Sequence, residues 1–365
     1  MKTVMRAAVL ATAMGLVLAA CAAAPEEEPA NTSKPGATAE PIDYKACIVS
    51  DAGGFDDKSF NQLSFEGAQK AAKELGASFN SVQSDSETDF QPNLQAMVGE
   101  NCNTIVTVGF ALSAATVESA LANPDVEYVL IDDAADNDFN GEKDAENVKP
   151  LLYDTAQAAF LAGYLSAGYS TSGKVGTFGG QNYPTVAIFM DGFKQGVDYY
   201  NSVKGTAVTV IGWDGTDGLF TGGFEANDTA KAVATNIIGQ GVDVLLPVGG
   251  PIYQSARDAI ADSGKDIALI GVDADVYNTD PSVQSLLLTS IMKNMDVSTY
   301  DAIMAAGKGN FDPTAYVGTL DNGGVGLAPL HDYESKVDAA LMAEVTQLQQ
   351  DIIDGTVVVT SYLNQ

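Results

Sequence analysis

The chain has 365 residues, with 18 Lys and Arg against 48 Asp and Glu, a formal charge of −30 and a pI near 4.1. That charge repels nucleic acid and anionic membrane surfaces, which excludes both as the main partner. The 46% of hydrophobic residues can bury a core, the length fits two domains, and one His with three Cys excludes a Cys/His zinc cluster and leaves any His-based triad to His331.

In chain order, Lys2 and Arg6 form a basic start, and an apolar run over 7–18 follows, too short to span a hydrocarbon core of ~30 Å as a helix. Leu18-Ala-Ala-Cys21 then resembles a lipobox, where cleavage before the cysteine frees it to receive lipid. Residues 1–20 are therefore expected to be a lipoprotein signal peptide. Cys21 is expected to be the lipidation site, holding the chain at the extracytoplasmic face of the cell membrane. Residues 21–41, rich in Ala, Pro, Glu and Thr, read as a flexible tether. No later run offers 18 uninterrupted apolar residues, so the chain is not expected to form a channel.

From residue 42 onward, short β-rich runs alternate with helical periodicity. Strands are predicted over 46–50, 78–82, 104–108, 127–131, 174–178, 207–211, 243–247, 267–272 and 286–290. Helices are predicted over 59–75, 90–99, 112–122, 154–169, 185–200, 228–240, 252–263, 296–307 and 335–354. Continuous apolar strands such as IVTVG and VLLPVGG suit a parallel sheet covered on both faces. The alternation means α/β, and the two halves look alike in plan. Cys47 and Cys102 fall at comparable ends of two strands that a parallel sheet can make neighbours. A disulfide and two buried thiols both fit.

Ligands of such folds sit beyond the carboxyl ends of strands. The residues there are Asp51 to Gln62, Gly109-Phe110, Asp132-Asp133, Gly179-Gly180, Gly212-Trp213-Asp214, Gly249-Gly250, Asp273 to Asp275, and Lys293. Carboxylates accept from hydroxyls and ring N–H groups, aromatic faces take planar rings, and glycines admit close backbone approach. The combination fits a neutral polar ring compound. A phosphate site would want a GxxxxGK[ST] loop, which the sequence lacks.

The run SDAGGFDDKSFNQLSFEGAQKAAKELG resembles the opening of the basic membrane protein (BMP) family of substrate-binding lipoproteins, which serve ABC importers of purine nucleosides. GVDVLLPVGG, IGVDADVY and LTSIMKNMD extend the resemblance over most of 44–320. It implies the type I periplasmic-binding-protein fold, with two doubly wound parallel-sheet lobes joined by a three-segment hinge. The lobes would be 42–151 plus 291–319 and 152–290 plus 320–365. It also implies a nucleoside ligand, an ABC permease with its ATPase as partners, no enzyme activity and no cofactor. By the resemblance, Phe60 stacks on the base, Asp51 and Asn61 bond to it, and Asp132 faces a purine edge. Gly249 or Gly250, Asp273 and Lys293 hold the ribose. The second stacking aromatic is Phe224 or Trp213, in a stretch, 212–226, longer than the family's usual one.

Other readings are weaker. A sugar or autoinducer receptor shares the fold. Asp56/Asp57 and Asp132/Asp133 evoke the two carboxylates of a glycosidase, although adjacent residues seldom face one bond; Asp56 and Asp57 read rather as caps of the first helix. Asp136-Asn-Asp-Phe-Asn-Gly141 starts like a calcium loop but has Asn147 where the bidentate Glu belongs, so no metal is expected. His331 reads as a surface or packing residue rather than a base.

Overall fold

A computed structural model describes residues 41–364. Among them the strands run β1 (Lys45–Val49), β2 (Ser78–Val82), β3 (Thr104–Val108), β4 (Glu127–Ile131), β5 (Val148–Tyr153), β6 (Lys174–Gly179), β7 (Thr209–Ile211), β8 (Val244–Val248), β9 (Ala268–Asp273), β10 (Leu287–Lys293), β11 (Tyr316–Gly318) and β12 (Val325–Leu327). The helices run α1 (Phe60–Leu75), α2 (Phe90–Gly99), α3 (Ser113–Ala122), α4 (Thr155–Tyr169), α5 (Pro184–Lys204), α6 (Asp228–Gly239), α7 (Ile252–Ser263), α8 (Val276–Thr279), α9 (Met295–Gly307) and α10 (Ala339–Ile353). The expected signal peptide, Cys21 and nearly all of the tether lie outside the described residues.

Two six-stranded sheets form. Their orders, β11-β5-β4-β3-β1-β2 and β12-β10-β9-β8-β6-β7, are the same plan twice. All pairings are parallel except β10 with β12. β3, β4 and β8 are buried along almost their whole length, as strands covered on both faces must be. The chain passes between sheets three times, after β5, after β10 and between β11 and β12.

The structure corrects the sequence reading in two places. It adds β5, β11 and β12: β5 carries Pro150 in its middle, and the other two have only three residues each, too short for an alternation to show. It also carries the second sheet through β10 to Lys293, past the expected lobe boundary at 290/291, because Ile291 to Lys293 pair with β12. Cys47 and Cys102 form a disulfide with Cα atoms 5.9 Å apart, joining β1 to the entry of its neighbour β3.

Helix α1 shows how position follows from sequence. Ala68, Ala71, Ala72 and Leu75 bury one stripe, and Gly76 ends the helix at φ +69°, a left-handed turn that glycine adopts without strain. At the other end the Asp57 carboxylate accepts from the backbone N–H groups of Ser59, Asn61 and Gln62 at 2.8–3.1 Å. That cap fixes the first turn, which carries Phe60 and Asn61 to the end of β1.

Candidate binding cleft

Between the carboxyl ends of the two sheets lies a cleft of about 560 Å³. Asp51, Phe60, Asn61, Asp132, Phe224, Gly249, Gly250, Asp273 and Lys293 all line it. All but Phe224, which lies in the loop between β7 and α6, sit at or just beyond the end of a strand or at the start of the next helix.

At the floor, the Lys293 ammonium meets both oxygens of Asp132, at 2.7 and 2.5 Å, with side-chain exposures of 2% and 8%. Its Nζ also stands 5.0 Å from the Phe60 ring centre, 5.2 Å from Tyr153 and 5.7 Å from Phe189. Burial pushes the Asp132 carboxyl up, and the ammonium opposes that shift. Asp132 and Asp273 end corresponding strands of the two sheets, and both take left-handed backbone, φ +70° and +66°. That strain, about 1 kcal/mol or more each, is held in place at the cleft.

Burial raises the Asp273 carboxyl to about 6, with Lys293 opposing. Burial raises Asp51 to about 6 as well, against hydrogen bonds from Gly53 and Asn61. Ser59 Oγ donates to Asp273 Oδ2 and to the Val272 carbonyl, each at 3.0 Å, tying the first lobe to the second. Asn61 is already engaged. Its Nδ2 donates to Asp51 at 2.7 Å and to Asp57 at 3.1 Å, and its Oδ1 accepts from the Asp51 N–H at 3.1 Å. Its two donor hydrogens are spent on Asp51 and Asp57.

Trp213 does not line the cleft, contrary to one of the two expectations for the second aromatic. It is 7% exposed and packs edge-on to Phe220, and its Nε1 donates to Asp191 at 3.4 Å. It anchors the long 212–226 loop, whose far end brings Phe224 over Gly180 and Gly249. A Cβ on either glycine would run into the Phe224 ring. The position of Phe224 thus explains Gly249, which sits at φ +126°.

The cleft also takes Glu87, Phe110, Gln181, Tyr183, Phe189 and Glu225. Phe110 follows β3 and is among the strand-end residues singled out from the sequence; Tyr183 follows β6, so the same rule, carried a few residues past Gly180, could have found it. Glu87 opens a single 3-10 turn and Glu225 sits in the loop before α6, with no pattern to mark either.

The remaining candidates fall elsewhere. Asp133 bonds Ser113 and the Ala135 N–H, so it diverges from Asp132, and Asp56 pairs with Lys58. His331 stacks on Tyr277 with centroids 4.0 Å apart and meets Asp275 at 2.9 Å, as a packing residue. Asp136, Asp138 and Asp144 bring oxygens within 4.8 Å of one another. Asn147, where a calcium loop needs its last carboxylate, is instead turned onto the carbonyls of Ala120, Asn123 and Val126 at 2.8–3.2 Å.

Two parallel-sheet α/β lobes with a cleft at their facing strand ends define a solute-binding protein of the type I fold. The family model for PnrA-like substrate-binding proteins of ABC transporters (Bmp) matches residues 45–362, and the chain belongs to that family. It is 28% identical to the nucleoside-binding protein BmpA of an ABC transporter in Lactococcus lactis subsp. cremoris, over 87% of this chain and 90% of that one. It is 27% identical to a CD4+ T-cell-stimulating antigen of Listeria innocua, over 94% of each chain. Among solved structures, an ABC transporter solute-binding protein from Aeropyrum pernix K1 superimposes with a TM-score of 0.76 at 26% identity, covering 87% of this chain and 94% of that one.

Proposed function

We propose that this chain captures a purine nucleoside outside the cell membrane and hands it, chemically unchanged, to an ABC permease and its ATPase. The observation that carries the reading is the cleft's chemistry. Acceptor-only carboxylates, Asp51 and Asp273, face a cavity walled by aromatic rings, and its one lysine is held by Asp132. A ligand there must offer N–H and O–H donors and a flat ring face, and must not bring a phosphate. A purine nucleoside does all three.

In this reading Phe60 and Phe224 enclose the base, with Asp51 beside it and Asn61 holding Asp51. Asp273 accepts from ribose hydroxyls, next to the Lys293–Asp132 pair. The lobes, roughly 42–153 with 295–318 and 155–293 with the C-terminal part, close about the three crossings. The ligand drives closure by binding the closed form more tightly than the open one. Lipidated Cys21 and the tether keep the protein beside its permease.

Incubation with inosine followed by mass spectrometry of the released ligand tests capture without chemistry. Stoichiometric recovery of intact inosine is expected. Accumulation of hypoxanthine would instead make this a nucleosidase.

A further inference from the structure

The long-range contacts at the cleft converge on a residue outside the nucleoside contacts assigned above. Tyr183 stands between β6 and the first turn of α5, directly before Pro184. Its ring lies 5.0 Å from that of Phe110 in the first lobe, tilted by 37°, and 6.1 Å from that of Phe224 in its own lobe. Its hydroxyl reaches Glu87 of the first lobe at 3.4 Å. One side chain thus touches a ring and a carboxylate across the lobe boundary and the enclosing aromatic on its own side.

Three other hydrogen-bonded links cross between the lobes. Ser59 bonds Asp273 and the Val272 carbonyl, Thr279 Oγ1 donates to the Lys58 carbonyl at 2.7 Å, and Lys293 of the second lobe meets Asp132 of the first at 2.5 and 2.7 Å. The first and third use carboxylates that line the cleft, so they answer to ligand chemistry. The Tyr183 contacts use groups whose partners are supplied by the protein itself. Opening the cleft would separate the two rings, expose both apolar faces and break the bond to Glu87. Phe224, 6.1 Å away in the same lobe, would stay beside Tyr183 and move with it.

We propose that Tyr183 is the closure residue of this protein. By joining Phe110 and Glu87 of one lobe to Phe224 of the other, it holds the lobes together and sets how long a ligand stays. It acts on retention for any ligand the cleft accepts. A contact that reads the base would instead affect some ligands more than others.

The test measures closure and retention separately. Donor and acceptor dyes, attached through unnatural amino acids at exposed Leu121 in α3 and Val203 in α5, report the interlobe distance in the full chain. Tyr183→Ala is expected to lengthen that distance without added ligand. With inosine as the probe it should speed dissociation about thirty-fold, the loss of one aromatic pair and one hydrogen bond across the boundary. Tyr183→Phe keeps the ring pair and should show a few-fold effect. Combining it with Glu87→Ala should add nothing, because both remove the same bond.

An interlobe distance distribution in Tyr183→Ala identical to that of the unsubstituted protein overturns the proposal, as does additivity of Tyr183→Phe with Glu87→Ala. The kinetic arm rests on the nucleoside reading and the distance arm does not. Inosine failing to bind the unsubstituted protein therefore defeats the nucleoside assignment alone, and the distance measurement still decides the role of Tyr183.

Discussion

Asp51 and Asp273 face one cavity with carboxyls raised to about 6 by burial, above the usual ~3.9 of an unfolded chain. Between pH 4 and 6 the folded form therefore binds more protons than the unfolded one, and stability falls as pH rises through that window. For Asp273, 6% exposed, the penalty fully present above pH 6 is about 3 kcal/mol. Asp243 and Asp280 are shifted downward and act with opposite sign, below that window. The melting temperature without ligand should therefore rise from pH 7 to pH 5, and Asp273→Asn should flatten the rise while making the protein more stable at pH 7. A flat profile in the unsubstituted protein would contradict the burial argument. Nucleoside affinity should move the other way, since a protonated carboxyl loses an acceptor. By the same logic Asp273→Ala should weaken nucleoside binding by about 2 kcal/mol or more in a calorimetric titration; unchanged affinity would remove Asp273 from the ribose. At this scale residue types following strand ends were readable, but their pairings were not. Nothing near Asn61 in sequence announces that its donors are spent on Asp51 and Asp57, and Lys293 and Asp132 meet across 161 positions.

The elements were the most legible level, for a reason visible in particular strands. β2, β3 and β4 run where their apolar or alternating stretches run, bounded by turn residues. Of the misses, β11 and β12 owe their strand state to edge pairings rather than to their own pattern, and β5, paired on both sides by β4 and β11, is masked by its proline. The small-residue faces of α4 and α5 also carry meaning only in the fold. A Cβ on Gly163 would strike the Phe193 carbonyl, and one on Gly196 the Phe160 carbonyl, so these helices cross closely because glycine stands at both contacts. The disulfide is an element-scale device, tying β1 to the start of β3 across 55 positions. Closing a loop of that length removes enough unfolded-chain entropy to stabilise by roughly 4 kcal/mol. Cys47→Ser with Cys102→Ser should lower unfolding free energy in urea by about 2–4 kcal/mol and leave nucleoside affinity unchanged, because neither cysteine lines the cleft. Lost affinity at full folding would show that the bond shapes the site.

For the whole molecule, the repeated strand order explains why two halves that looked alike in plan form two lobes with facing strand ends. That symmetry places Asp132 and Asp273 opposite one another and gives one lysine to both. The fold class was legible because alternation of strand and helix needs only local pattern. The closure contacts were not, since Glu87 with Tyr183 and Ser59 with Asp273 join segments 96 and 214 positions apart. The central claim is that the cleft takes a nucleoside, and a thermal-shift screen of the protein with adenosine, guanosine, inosine, cytidine, uridine, free bases, ribose and galactose tests it directly. At 100-fold its dissociation constant a ligand adds about 2.7 kcal/mol of stability, enough to raise the melting temperature visibly. Shifts with purine nucleosides and none with ribose are the predicted result. Shifts with ribose or galactose alone would keep the fold and overturn the base-enclosing roles of Phe60 and Phe224.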